Sequence, residues 1–214
     1  MSLRLYFHPL SSFCQKVLVA LYENDTPFER EVVNFMDPKE EAAFRKLWPI
    51  RKFPVLRDEA RDKLVPESTT IIEYLDRHFP GRTRLIPSDP DLAWGTRFWD
   101  RFLDLYVHLP MQKIVTDRLR PAGGNDAVGV QEAKERLGTA YDLLDEHMAG
   151  SAWVNEVDFS MADCAAAAPL RFADMQVPIG PRKNLAAYLE RLNARPSFAR
   201  VWKEAEPYLA MVPK

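Results

Sequence analysis

The sequence predicts an α+β protein in two parts: a mixed strand-and-helix domain over residues 1–80, then an all-α domain over residues 90–214. Three observations carry this. Residues 3–78 alternate short apolar strands with amphipathic helices in the order βαβ, a linking helix, then ββα. Pro80-Gly81, Pro87 and Pro90 then break the pattern and stiffen a connection. Beyond them every periodic run has helical spacing.

Each element has a local reason. Leu3-Arg4-Leu5-Tyr6-Phe7 reads as a strand; after the His8-Pro9-Leu10 turn, Phe13, Val17, Leu18 and Leu21 mark a helix from Phe13 to Glu23. Phe28 to Val33 alternates as a second strand, and Asp37, Pro38 and Glu40 give an N-cap, a first-turn proline and a first-turn acid for a helix to about Leu47. Phe53 to Arg57 and Leu64-Val65 form a hairpin across Asp58–Asp62, closed by a helix from Ser68 to about His78. In the second part, Leu92 to Leu109 and Val130 to Met148 read as helices. Ser160 and Asp163 form a capping box with Phe159 and Cys164 as its staple, and Asn184–Asn193 and Pro196–Ala205 give two short helices.

Composition excludes several function classes. Lys+Arg of 29 against Asp+Glu of 31 leaves a net charge of -2 and no basic block for a phosphate backbone, so nucleic acid is not an expected partner. No apolar run reaches the length of a membrane span and the N-terminus lacks the order of a secretory signal, so a soluble, cytoplasmic protein is expected. Two cysteines, Cys14 and Cys164, argue against a disulfide framework and are expected reduced. His8, His78, His108 and His147 lack metal-ligand spacing, so no metal site is expected.

Lys52-Phe53-Pro54-Val55-Leu56 followed by Val65-Pro66-Glu67-Ser68-Thr69 is the most informative stretch. A proline opens a strand, leaving main-chain polar groups free, and an acid-hydroxyl pair begins a helix whose N-terminus suits a charged end group. That pattern fits a peptide-like ligand. The element order is that of the thioredoxin fold, with its four-stranded mixed sheet. Ser11-Ser12-Phe13-Cys14 stands where thioredoxin-like proteins carry Cys-x-x-Cys, so the attacking thiol of a disulfide oxidoreductase is missing. A hydroxyl there can instead donate to the sulfur of a bound thiol and favour its thiolate.

With these residues in place the chain resembles the cytosolic glutathione transferases along nearly its whole length. The resemblance is to serine-type classes, theta- or zeta-like. It implies that Ser11, with Ser12 as the alternative, activates glutathione; that Pro54 is the family's cis-proline; and that the main chain of Phe53 holds the cysteinyl unit. Glu67 and Ser68 would hold the γ-glutamyl end, and Lys39 and Lys52 the glycine carboxylate. Phe7 occupies the place of the catalytic tyrosine of tyrosine-type classes, and Tyr6 points to the opposite side of its strand. The zeta class follows its serines at once with a cysteine; here Phe13 intervenes, and that class's isomerase activity is not assigned.

The expected activity is conjugation of the glutathione thiolate to a small hydrophobic electrophile, with glutathione as co-substrate and a homodimer as the family's usual assembly. Tyr106, Val107 and Met111 are placed toward the electrophile's cleft. Asp100 and Asp104 read as solvated helix charges, with a weaker family-based role of reaching glutathione across a dimer. Rival readings are a glutathione-dependent reductase or isomerase using Cys14, and a noncatalytic module of the same fold.

Overall fold

The computed structural model describes residues 2–212. Strand β1 (Leu3–Phe7) lies inside a four-stranded sheet of order β2-β1-β3-β4, parallel to β2 (Glu29–Val32) and antiparallel to β3 (Val55–Asp58), which pairs antiparallel with β4 (Lys63–Pro66). The mixed sheet expected from the element order is therefore present. In β1 the side chains of Leu3, Leu5 and Phe7 are buried and those of Arg4 and Tyr6 half-buried, as a period of two requires. Phe7 thus faces the main core, while Tyr6 packs on Phe44 on the other side.

Helix α1 (Ser12–Glu23) follows β1, α2 (Pro38–Leu47) links the halves, and α3 (Ser68–His78) closes the unit. Asp37 caps α2 by accepting from Lys39 N at 2.7 Å, but Glu40 turns away and accepts from Asn34 N at 2.8 Å. Gly81 then lets the linker cross the end of α1: a Cβ there would lie 2.3 Å from the Asn24 side chain, whose amide holds Thr83 through its N–H and its C=O.

Helix α4 (Pro90–Phe102) runs on through a π-helical segment (Leu103–His108) into α5 (Leu109–Asp117). The sequence placed the end of this helix at Leu109. It continues past Leu109 into Pro110, which directly follows the π-helical segment, where the regular i→i−4 ladder that a proline breaks is already interrupted. Helices α6 (Ala127–His147), α7 (Met161–Asp174), α8 (Lys183–Ala194) and α9 (Pro196–Ala205) complete the layer, and a 3₁₀ segment (Glu206–Met211) follows α9.

One core joins the two halves. Helix α7 is buried from Met161 through Leu170, and the run Ala165 to Ala168 presents small side chains to its neighbours. Helix α1 packs against α7 on one side and α3 on the other, so Cys14, Val17, Leu18 and Leu21 share a cluster with sheet and helical residues alike. Burying each such Leu or Val contributes about 1.5–3 kcal/mol. Asp163 sits fully buried at the start of α7, accepting from Ser160 N, Val154 N and the Tyr188 hydroxyl at 2.8, 3.0 and 2.7 Å. The capping box expected at Ser160–Asp163 is present, and it also anchors α8.

Candidate functional site

Three elements converge where α1 begins. Ser11 is its N-cap: the hydroxyl accepts from Cys14 N at 3.4 Å, and the residue is only half-buried. It lines a cavity of about 280 Å³ together with Phe13, Phe53, His108, Met111 and Phe172. The helix N-terminus adds a positive potential at this spot, worth about 0.3–1 kcal/mol to a negative charge. Ser12, the alternative, is largely buried but lines the same cavity.

The loop before β3 enters from the sheet side. The Phe53–Pro54 bond is cis. Among the described residues no turn, loop or cap hydrogen bond engages the Phe53 main chain, which leaves its polar groups for a ligand. The Phe53 ring stacks on Phe35 at 4.8 Å and lies 6.1 Å from His8, which fixes its direction. The imidazole of His8 accepts from Leu10 N at 3.2 Å and shapes the β1–α1 turn.

The third element is the start of α3. Glu67 occupies the N-cap with φ of 70° and makes no side-chain cap bond. A non-glycine residue held there stores about 1–3 kcal/mol of strain. The result is an exposed, uncommitted carboxylate above a helix N-terminus whose first N–H groups favour an anion. Glu67 and Ser68 line a second cavity, of about 360 Å³, with Phe13, Arg101, Asp104 and Leu109. Phe13 lines both cavities, so they flank one side chain. A zwitterionic amino-acid end group matches the second: an ammonium for Glu67, a carboxylate for the helix start and Arg101.

Lys39 and Lys52 are exposed, and neither lines the two cavities. Of the side chains placed toward the electrophile's cleft, Met111 lines the first cavity. Val107 is instead fully buried in the core, and Tyr106 faces a groove between α4 and α6. The π-helical segment rotates these positions away from the register of a regular α-helix.

Asp100 and Asp104 are not solvated. Lys16 Nζ, itself 1% exposed, reaches Asp100 Oδ1 at 2.6 Å, Asp104 Oδ2 at 3.0 Å and Thr69 Oγ1 at 2.9 Å; Thr69 in turn donates to Asp100 Oδ2 at 2.7 Å. The cluster ties α1, α3 and the α4 helix together within one chain. Burial pushes the Asp104 carboxyl above its usual range, against the attraction of Lys16 and with the repulsion of Asp100. His108, one turn further, is buried and stacked on Phe13 with ring centroids 3.8 Å apart.

Both cysteines are buried and free. Burial pushes the Cys14 thiol up to about 12, although the Ser11 hydroxyl and the His8 main chain oppose it, and drives Cys164 up as well. Neither is a thiolate near neutral pH. Among the described residues no group of three or more His, Cys, Asp or Glu side chains is placed to hold a metal ion, and no helix is long and apolar enough to cross a membrane.

Comparisons with known proteins point the same way. Residues 5–83 match the family model described as the glutathione S-transferase N-terminal domain, and residues 102–196 match its C-terminal domain. The glutathione S-transferase-like protein LUC7 of a Fusarium species is 28% identical over 174 residues, covering 81% of this chain and 78% of its own. Glutathione S-transferase F13 of Arabidopsis thaliana is 26% identical, covering 94% and 95%. A solved glutathione S-transferase from Methylobacillus flagellatus with glutathione bound shares the fold at a TM-score of 0.84 and 24% identity, covering 94% of this chain and 98% of that one.

Proposed function

The chain belongs to the glutathione S-transferase family, and from that premise we propose that it conjugates the glutathione thiolate to a small hydrophobic electrophile. The observation that carries this is the convergence on Phe13 of two cavities. One offers the Ser11 hydroxyl and the Phe53 main chain, the other Glu67, Ser68 and Arg101. Glutathione has a zwitterionic γ-glutamyl end and a central thiol, and the two cavities divide along that line.

In this reading Glu67 takes the γ-glutamyl ammonium, Ser68 and the α3 N-terminus its carboxylate, and Phe53 the cysteinyl main chain. The sulfur then meets Ser11. The hydroxyl donates a hydrogen bond to the sulfur, which favours the thiolate over a thiol whose ordinary pKa is about 8.5. Leu10, Met111, Val115 and Phe172 give the electrophile an apolar berth beside that sulfur. The thiolate attacks the electrophilic carbon, forms the C–S bond and leaves the displaced electron pair on the leaving or accepting atom. Holding both partners in one cavity supplies the remaining acceleration. Lys39 and Lys52 are the cations for the glycine carboxylate, which lies toward solvent.

The protein works as a cytoplasmic homodimer in this proposal. Its buried free thiols suit a reducing compartment, and the exposed aromatic strip Trp94, Phe98 and Tyr106, with Leu143 across the groove, suits a subunit interface. Sedimentation should give twice the chain mass of 24.7 kDa; a monomer would remove the dimer. Calorimetry tests the site: Glu67→Ala should weaken glutathione binding about tenfold or more, since a charge-assisted hydrogen bond is worth about 1.5–3 kcal/mol. Unchanged affinity would take Glu67 out of the site. No observation favours a reductase, because Cys14 is buried and its thiol is held protonated.

A further inference from the structure

Arg51 holds a left-handed backbone, with φ of 58°, although it is not glycine. It closes the turn Trp48–Arg51 that follows α2, where its N–H donates to Trp48 O at 3.0 Å and where glycine is a favoured residue. A non-glycine residue persists in such a conformation when its surroundings hold it there, and strain of this kind collects at ligand clamps and active sites. Two contacts hold Arg51. Its Nε pairs with Glu41 Oε1 of α2 at 2.6 Å, and its guanidinium lies over the Phe35 ring at 5.4 Å. Phe35 in turn stacks on Phe53 at 4.8 Å and 20°. Little else fixes this stretch: among the described residues the single turn or loop main-chain hydrogen bond of residues 49–54 is the one Arg51 donates, and its chain neighbours Ile50 and Lys52 are exposed.

We propose that Arg51 is a positioning residue for glutathione: through Glu41 and Phe35 it holds the Phe53 main chain at the place where the cysteinyl unit binds. This deepens the transferase reading and rests on it for the role of Phe53. Phe53 stands two residues beyond the left-handed position, so the backbone angle at Arg51 sets the direction in which the chain brings the Phe53 N–H and C=O to the Ser11 cavity. Arg51 itself lines neither cavity, so it acts through Phe53 and not on the ligand. The ion pair is partly open to solvent, with the Arg51 side chain 43% and that of Glu41 19% exposed, so it contributes little to stability and serves as a constraint on the loop.

Calorimetry with glutathione and with its glycyl monoethyl ester, which lacks the glycine carboxylate charge, tests this in the parent, in Arg51→Gly and in Glu41→Gln. Glycine takes a φ of 58° without strain, so Arg51→Gly should melt within about 2 °C of the parent or above it. It should nevertheless bind both ligands about fivefold more weakly, which corresponds to one misplaced main-chain hydrogen bond. Glu41→Gln leaves Arg51 in place without its anionic partner, and should weaken both ligands by about twofold or more. Unchanged affinities in either variant overturn the proposal. A loss seen with glutathione and spared with the ester overturns it too, because Arg51 would then pair with the glycine carboxylate directly. A parent that binds neither ligand overturns the reading of the site and this proposal together, whereas a parent that binds both beside unchanged variants overturns the proposal alone. If Arg51→Gly does not fold, Glu41→Gln decides by the same two affinities.

Discussion

Removing the buried charge of Lys16 strands two buried carboxylates. Its ammonium donates to Asp104 at 3.0 Å and to Thr69 at 2.9 Å and forms an ion pair with Asp100 at 2.6 Å. Lys16→Met keeps the length of the side chain and its apolar contacts while deleting the charge. Breaking a buried pair in this way costs about 3–5 kcal/mol. For a chain of this size each kcal/mol moves the melting temperature by about 2–4 °C, which gives a fall of about 6–20 °C. The loss should also depend on pH. Without the attraction of Lys16 the Asp104 carboxylate protonates more readily in the folded state, so the variant is worst near pH 8 and recovers part of its deficit near pH 5. Differential scanning calorimetry at both values reads this directly. A melting temperature within about 2 °C of the parent, or an equal deficit at both pH values, would refute the account of this cluster.

Asp104→Asn tests the same cluster from the other sign. Because burial raises the Asp104 carboxyl above its ordinary 3.8, the folded protein holds a proton that the unfolded chain has released, and stability declines as pH rises from about 3.8 through the raised value. The asparagine variant should lack that decline in urea titrations. Cys14→Ser should leave conjugation unchanged, and native Cys14 should resist a thiol reagent until the protein unfolds, since its thiol is buried and held protonated. Rapid modification of Cys14 in the native protein would contradict this. Asp163→Ala leaves the Ser160 N–H, the Val154 N–H and the Tyr188 hydroxyl without their acceptor. At about 1–3 kcal/mol for each buried unsatisfied group, chemical denaturation should show a loss of at least about 3 kcal/mol.

The strands and most helices were legible because each carries its own local signal. The alternation of Leu3, Leu5 and Phe7 sets β1, Asp37-Pro38 starts α2 and Ser160–Asp163 starts α7, and all three stand where those signals put them. What the sequence hid depends on contacts between distant segments. Lys16 sits in a helix whose buried residues from Val17 to Leu21 are all apolar, and only the fold shows that Asp100 and Asp104 arrive to meet it. The helix that starts with α4 was legible as far as Leu109, but the π-helical register of residues 103–108 and the continuation into α5 were not. That shift carried Tyr106 out of the cleft and Val107 into the core, and set His108 against Phe13. At the candidate site, Glu67 and Ser68 stood out as an acid-hydroxyl pair at a helix start, while Ser11 and Phe53 were proposed from the family resemblance. Their division between two cavities on either side of Phe13 was not legible.

The measurement that bears most directly on the central claim is the pKa of the glutathione thiol in the binary complex, followed by its thiolate absorbance, in the parent and in Ser11→Ala. The hydroxyl and the α1 N-terminus should make the bound thiol titrate about one unit or more below its free value. Ser11→Ala should still bind glutathione and return most of that shift, at a cost to the folded state of about 0.5–2 kcal/mol for the lost helix cap. A bound thiol that titrates at its free value in the parent, or a shift that survives intact in Ser11→Ala, would contradict the claim that Ser11 generates the thiolate.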